Sequence, residues 1–421
     1  MPRQSLILLS VILALVSGFP TSAVSLFAAA KEKVLHVFGK CKKDGAWPEA
    51  GLISDAAGNL YSTTRIGGAH GWGTVFQLTP DRHGKWTSKV LHSFNNYATP
   101  YGGLVFDAKG NLYGTTSQGG PHGLGTVFEL TPSASGKWTE TTLHSFSGPD
   151  GSSPHDTLVF DAAGNLYGTT LMGGAYGWGT VFQLRRGKNG KRTEKVLHSF
   201  NTNGDGYNPE AGLIFDKSGN LYGTTYYGGS ECRNWGCGTV FELSPGPKCK
   251  WTEKVLHSFG SYYDGGYPWG GLIFDPAGNL YGTTTVGGGG FGTVFQLTPS
   301  GKNSWNETVL HSFSGDDGFL PLGSLVLDAA GNLYGTTSDG GNYGGWCADG
   351  CGVVFKLTPG SNGGWTETTL YKFNVSGDGH FPVANLIFDA AGNLLGTTVG
   401  GGDQDGCNYN LGCGTVFELI P

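Results

Sequence analysis

The tripeptide Gly-Asn-Leu occurs seven times, with its asparagine at Asn59, Asn111, Asn165, Asn220, Asn279, Asn332 and Asn393, at spacings of 52, 54, 55, 59, 53 and 61 residues. A period of that size belongs to a propeller, a solenoid or an array, so domains cannot be counted from chain length. Each unit holds four short apolar, β-branched or aromatic stretches, named a to d here, with no helical periodicity between them. In the third unit they are Leu158 to Phe160, Asn165 to Thr170, Gly179 to Leu184 and Glu194 to Phe200. The a to b link, Asp161-Ala162-Ala163-Gly164-Asn165, carries the Asp and Gly of a tight turn, and the c to d link is similarly short. Each unit therefore reads as a four-stranded antiparallel meander. A lone d stretch, Lys33 to Phe38, precedes the first a, and the last unit finishes at c, Gly414 to Leu419. Pairing these two completes the last unit and removes both free edges, which predicts an all-β, seven-bladed propeller rather than an open β-solenoid.

Composition supports a folded chain. Glycine is frequent (76 of 421 residues), yet aromatics reach 13% and charged residues only 14%, the reverse of a disordered composition. With 26 Lys and Arg against 32 Asp and Glu, and no long basic run, nucleic acid is not an expected partner. Residues 1–30 read as a signal peptide: Arg3 is the only charge, and an apolar run from Leu6 to Val16 is followed by small residues suited to cleavage after Ala23 or Ala30. The run is too short to span a membrane, so the mature chain, 31–421, is expected to be monomeric and secreted, periplasmic or on the cell surface, with no membrane span. Export permits disulfides. Six of the eight cysteines form close pairs, Cys232 with Cys237, Cys347 with Cys351 and Cys407 with Cys413, each around the b to c loop of its unit. Zinc is the weaker reading because the pairs belong to three separate units. Cys41 and Cys249 stay unassigned.

The wording of the repeat is specific. Strings such as Gly212 to Thr225 (GLIFDKSGNLYGTT), followed by Gly228-Gly229 and by Gly238-Thr239-Val240-Phe241, resemble the Gloeobacter/Verrucomicrobium tandem repeat over essentially all of residues 31–421. The resemblance implies a bacterial exported protein of the kind whose relatives carry varied anchors, and it brings no assigned activity. More loosely, the a to b turn resembles those of lactonase-like and streptogramin-lyase-like propellers.

A residue present in every unit serves the unit, since a binding or catalytic site rarely needs seven copies. On this ground the d-strand histidines (His36, His92, His144, His198, His257 and His311, with Tyr371 in their place once) are expected in structural hydrogen bonds, and the Gly-Lys-Trp tryptophans in packing. The turn aspartates, such as Asp55 and Asp161, match hairpin chemistry. A second acidic set, Asp44, Asp150, Asp205, Asp264, Asp317 and Asp378, lies in the d to a loops and could hold calcium, although one Asp per loop falls short of the six or so oxygens that calcium needs. No other cofactor is expected.

What varies is more telling. Strand direction puts the long b to c and d to a loops on one face. Every d to a loop carries a proline, and the residue after it is Glu49, Tyr101, His155, Glu210, Trp269, Leu322 or Val383 in turn. These positions precede the innermost strand and should ring the mouth of the central channel. The b to c loops add Trp72, Trp178, Trp235 and Trp346, aromatics of the kind that stack on sugar rings. The expected ligand is a glycan or a protein, bound by a non-enzymatic module. A lyase or hydrolase acting on an extracellular carbohydrate or lactone is the alternative, with Glu49, His155, Asp156 and Glu210 the only ionisable groups near the mouth and no recognisable catalytic spacing among them.

Overall fold

The structure is a computed structural model that describes residues 30–39, 43–188, 190–230, 236–260, 264–301, 304–375, 377–402 and 411–420. Among these residues the chain forms seven four-stranded antiparallel sheets and one two-stranded sheet. In the third blade the strands are Val159–Phe160, Leu166–Thr170, Thr180–Arg186 and Arg192–Ser199, paired in chain order. The last blade is built from Ile387–Phe388, Leu394–Thr398 and Thr415–Ile420, and its fourth strand is Lys31–Val37 from the other end of the chain. The ring is closed as the phase of the repeat predicts, and the fold is a seven-bladed β-propeller.

Strand c shows why these residues form such blades. In Thr74–Pro80 the neighbours Val75 and Phe76 point to opposite faces, yet both are fully buried, because each face of a blade is covered by another blade. The covering contact is the same seven times. The phenylalanine ending one d strand meets edge-on the strand c phenylalanine of the next blade, from Phe94 on Phe128 (5.1 Å) to Phe373 on Phe417 (5.1 Å), and Phe38 on Phe76 (5.0 Å) completes the circle. That ring explains a glycine present in six of the seven blades, Ser62 standing in the first: a Cβ at Gly114 would lie 2.7 Å from the Phe128 ring. Between strands c and d the register slips by one residue at the same place in every blade, as between Val127 and Phe128, a bulge that adds twist.

Around the channel the blades are sewn together by threonine. A strand b hydroxyl donates to the main-chain carbonyl two residues after the proline of the following blade: Thr63 to Gly102, Thr115 to Asp156, Thr169 to Ala211, and so on to Thr397, which reaches Ala50 across the closure. The inner rim is therefore as rigid as the blades.

Candidate functional site

The residue before each channel proline sits in the left-handed region, with φ between 43° and 58° at Trp47, Thr99, Ser153, Asn208, Tyr267, Leu320 and Phe381. None is glycine, so each position carries backbone strain that its surroundings must hold. In six of the seven, Thr99 excepted, they hold it by bonding the residue to the loops of both flanking blades. The Trp47 N–H donates to the Cys413 carbonyl and its own carbonyl accepts from the Arg65 N–H; Ser153 bonds Leu124 and Leu171 in the same way, and Phe381 bonds Cys351 and Val399. The proline follows with its fixed φ. The next residue is thus presented at a set place on the rim.

All seven of these presented residues line one cavity of about 320 Å³ at the channel mouth. The grouping expected from the repeat is therefore met by Glu49, Tyr101, His155, Glu210, Trp269, Leu322 and Val383. Five of them form an unequal arc. Arg65 pairs with Glu49 (3.1 Å) and its guanidinium lies over the Tyr101 ring, 4.5 Å from the centroid. Tyr101 stacks on His155 (4.7 Å, 19°), and His155 Nδ1–H donates to Glu210 Oε2 (3.0 Å). Trp269, 40% exposed, meets Tyr226 edge-on at 5.5 Å. Across the mouth stand the apolar Leu322, Val383 and Phe381.

Burial sets the electrostatics. It raises the Glu49 carboxyl above its ordinary value, against the pull of Arg65. Asp156 occupies a position filled by Ala or Gly in the other six blades, and burial raises its carboxyl too, although it accepts the Thr157 and Gly212 N–H groups. Burial also raises the Asp339 carboxyl in the wall and the Tyr101 and Tyr226 hydroxyls. Sequence reasoning missed Arg65 and Tyr226. Both directly follow the Thr-Thr that ends strand b, a place where the seven units differ (Arg65, Ser117, Leu171, Tyr226, Thr285, Ser338, Val399), so the signal was present.

The loop tryptophans divide. Trp72 and Trp178 are half-buried against Tyr97 (3.9 Å) and Tyr207 (5.0 Å) of the adjoining d to a loops, which is packing. Trp346 is 53% exposed, next to the Cys347–Cys351 disulfide. Trp235 lies outside the described residues, as do Cys41, Cys232 and Cys407; Cys237 and Cys413 are disulfide-bonded.

At the outer rim five of the six repeated histidines pair with the second acidic set, while His92 has no aspartate in the loop that follows it. His36 bonds Asp44 (3.1 Å), His144 bonds Asp150 (3.0 Å), His198 bonds Asp205 (3.0 Å) and His311 bonds Asp317 (3.0 Å), while Tyr371 bonds Asp378. The turn aspartates are equally structural: Asp55 accepts from the Asn59 main chain and side chain and from the Tyr61 hydroxyl. A strand d glutamate of the next blade faces every aspartate of this set except Asp44, where Ser88 stands instead. His144, Asp150 and Glu194 each bring a ligand atom to within 4.8 Å of the others, a group able to hold a metal ion. One nitrogen and two carboxylates suit a transition ion better than calcium, which takes about six to eight oxygens.

Among the described residues no helix is long and apolar enough to cross a membrane. No curated protein matches the chain in sequence. Among solved structures it is similar to a gluconolactonase from Xanthomonas campestris (14% identity, TM-score 0.44, 93% of this chain over 89% of that one). It is also similar to the extracellular domain of a candidate one-component system from B. thetaiotaomicron (11% identity, TM-score 0.55, 93% of this chain over 40% of that one). For the second of these, at that identity, the likeness is one of fold. The repeat itself is diagnostic, because the pattern that builds each blade is matched over residues 24–159, 135–345 and 234–421: the chain belongs to the Gloeobacter/Verrucomicrobia repeat family.

Proposed function

We propose that the protein is a ligand-binding propeller that works outside the cytoplasm and takes a glycan at the channel mouth. The observation that carries this reading is the contrast between a scaffold repeated seven times and a rim position that differs almost every time, with all seven versions gathered on one cavity. A rigid rim suits recognition because little ordering entropy is lost on binding. Trp269 supplies an exposed ring for a sugar face, and Glu49, His155 and Glu210 supply polar groups for its hydroxyls. A glycan array probed with wild type and Trp269→Ala tests it: binders should appear, and should be lost in the variant. An array without binders, or binders indifferent to Trp269, refutes it.

A second reading, hydrolase or lyase, is favoured by one observation. His155 has Nδ1 tied to Glu210, while Nε2 takes no hydrogen bond from the described residues, which is how a general base is held. Turnover of a carbohydrate or lactone that vanishes in His155→Ala would establish it.

A further inference from the structure

The cavity at the mouth has a distinctive charge. Glu49, Asp156, Glu210 and Asp339 all line it, His155 is its one lining residue able to carry a positive charge, and no lysine or arginine is among its lining residues. At one end of the arc the protein supplies a cation of its own. The Arg65 guanidinium pairs with Glu49 and lies over Tyr101, a carboxylate and an aromatic face around one positive group. The other end has the same two components without the third. Glu210 and Trp269 both line the cavity, Tyr226 packs edge-on against Trp269 from outside that lining, and Trp269 is open to solvent. Glu210 Oε1 takes no hydrogen bond from the described residues.

Resting on the reading of the mouth as the binding site, we infer that its ligand is an organic cation, an ammonium group seated between Glu210 and Trp269. A lone metal ion is a poorer fit, because it has no use for the exposed Trp269 ring or for a cavity of about 320 Å³. The chemistry could be carried by an amino sugar with a free amine or by a small alkylammonium compound.

The test is titration calorimetry at pH 6.5. The probes are the β-1,4-linked glucosamine trimer, the N-acetylglucosamine trimer (same rings, no charge) and tetramethylammonium (charge, no sugar). The glucosamine trimer should bind about ten-fold or more tightly than its acetylated form, and Glu210→Gln should erase the preference. Tetramethylammonium binding as tightly as the glucosamine trimer supports an alkylammonium source; weaker binding supports the amino sugar. Equal affinity for the two trimers, each lost in Trp269→Ala, overturns the charge inference and leaves the site standing. If no trimer binds and Trp269→Ala changes nothing, the reading of the mouth falls as well.

Discussion

Replacing Glu32, Glu194, Glu253 and Glu307 together by glutamine should stabilise the propeller at alkaline pH. Each of these carboxyls stands on a strand d facing the outer aspartate of the preceding blade, and each has its Oε1 buried without a hydrogen-bond partner. The reason is two residues along. In Glu140 and Glu367 the same oxygen accepts from Thr142 and Thr369 (both 3.0 Å), whereas the four unpartnered glutamates have Val34, Val196, Val255 and Val309 at that place. Burial first, and the facing aspartate second, push the four carboxyls from 4.5 up to about 7, and to about 8 at Glu253. A carboxyl that holds its proton longer folded than unfolded contributes full stability below the unfolded value and loses it as pH rises through the folded one. The loss therefore runs from about pH 4.5 to about pH 8. Solvent reaches part of each side chain, and with that screening each is worth about 1 kcal/mol, so about 4 kcal/mol together for four distant sites. Guanidinium unfolding at pH 5, 7 and 9 measures it. Wild type should lose about 4 kcal/mol more than the quadruple variant between pH 5 and 9, and contributions common to both proteins cancel. Equal losses in the two proteins would refute the reasoning.

Phe38→Ala removes the ring that joins the last blade to the first and should cost about 3 to 5 kcal/mol, while deletion of Lys31–Val37 should abolish cooperative unfolding; circular dichroism melts check both. Ser153→Gly relieves the left-handed strain at φ 53° without removing a side-chain contact, and should raise stability by about 1 kcal/mol in denaturant titration. Cys347 and Cys351 are almost wholly buried, so native protein should resist thiol labelling after mild reductant, and complete reduction should cost about 2 kcal/mol for so short a loop. Asp317, brought down to about 2 chiefly by the His311 bond against the upward push of burial, contributes stability above pH 4 that is lost as pH falls toward 2; Asp317→Asn should shift acid unfolding to higher pH.

The blades, their closure and the rim positions were legible because each rests on chain-local patterns: the turn Asp-x-x-Gly-Asn, the Val-Phe pair of strand c, and the proline that fixes where strand a begins. What escaped depends on how neighbouring blades meet. His144 and Asp150 were each visible as repeated residues, but nothing along the chain states that one bonds the other, or that Glu194 of the next blade faces both. The strained residue before each proline is Trp, Thr, Ser, Asn, Tyr, Leu or Phe, a set with no shared chemistry, because the strain is held by main-chain bonds from flanking loops. Trp72 and Trp178 looked like a sugar platform for the same reason: their partners Tyr97 and Tyr207 lie in other loops, one short stretch of chain away but invisible to periodicity.

A crystal structure of the protein with the tightest glycan found on the array tests the central claim most directly. The account predicts a sugar ring in van der Waals contact with the Trp269 face and a polar group of the ligand within hydrogen-bond distance of Glu210 or His155, inside the mouth. A sugar bound instead at the exposed Tyr343 and Trp346 of the disulfide loop, with the mouth holding only solvent, would contradict it.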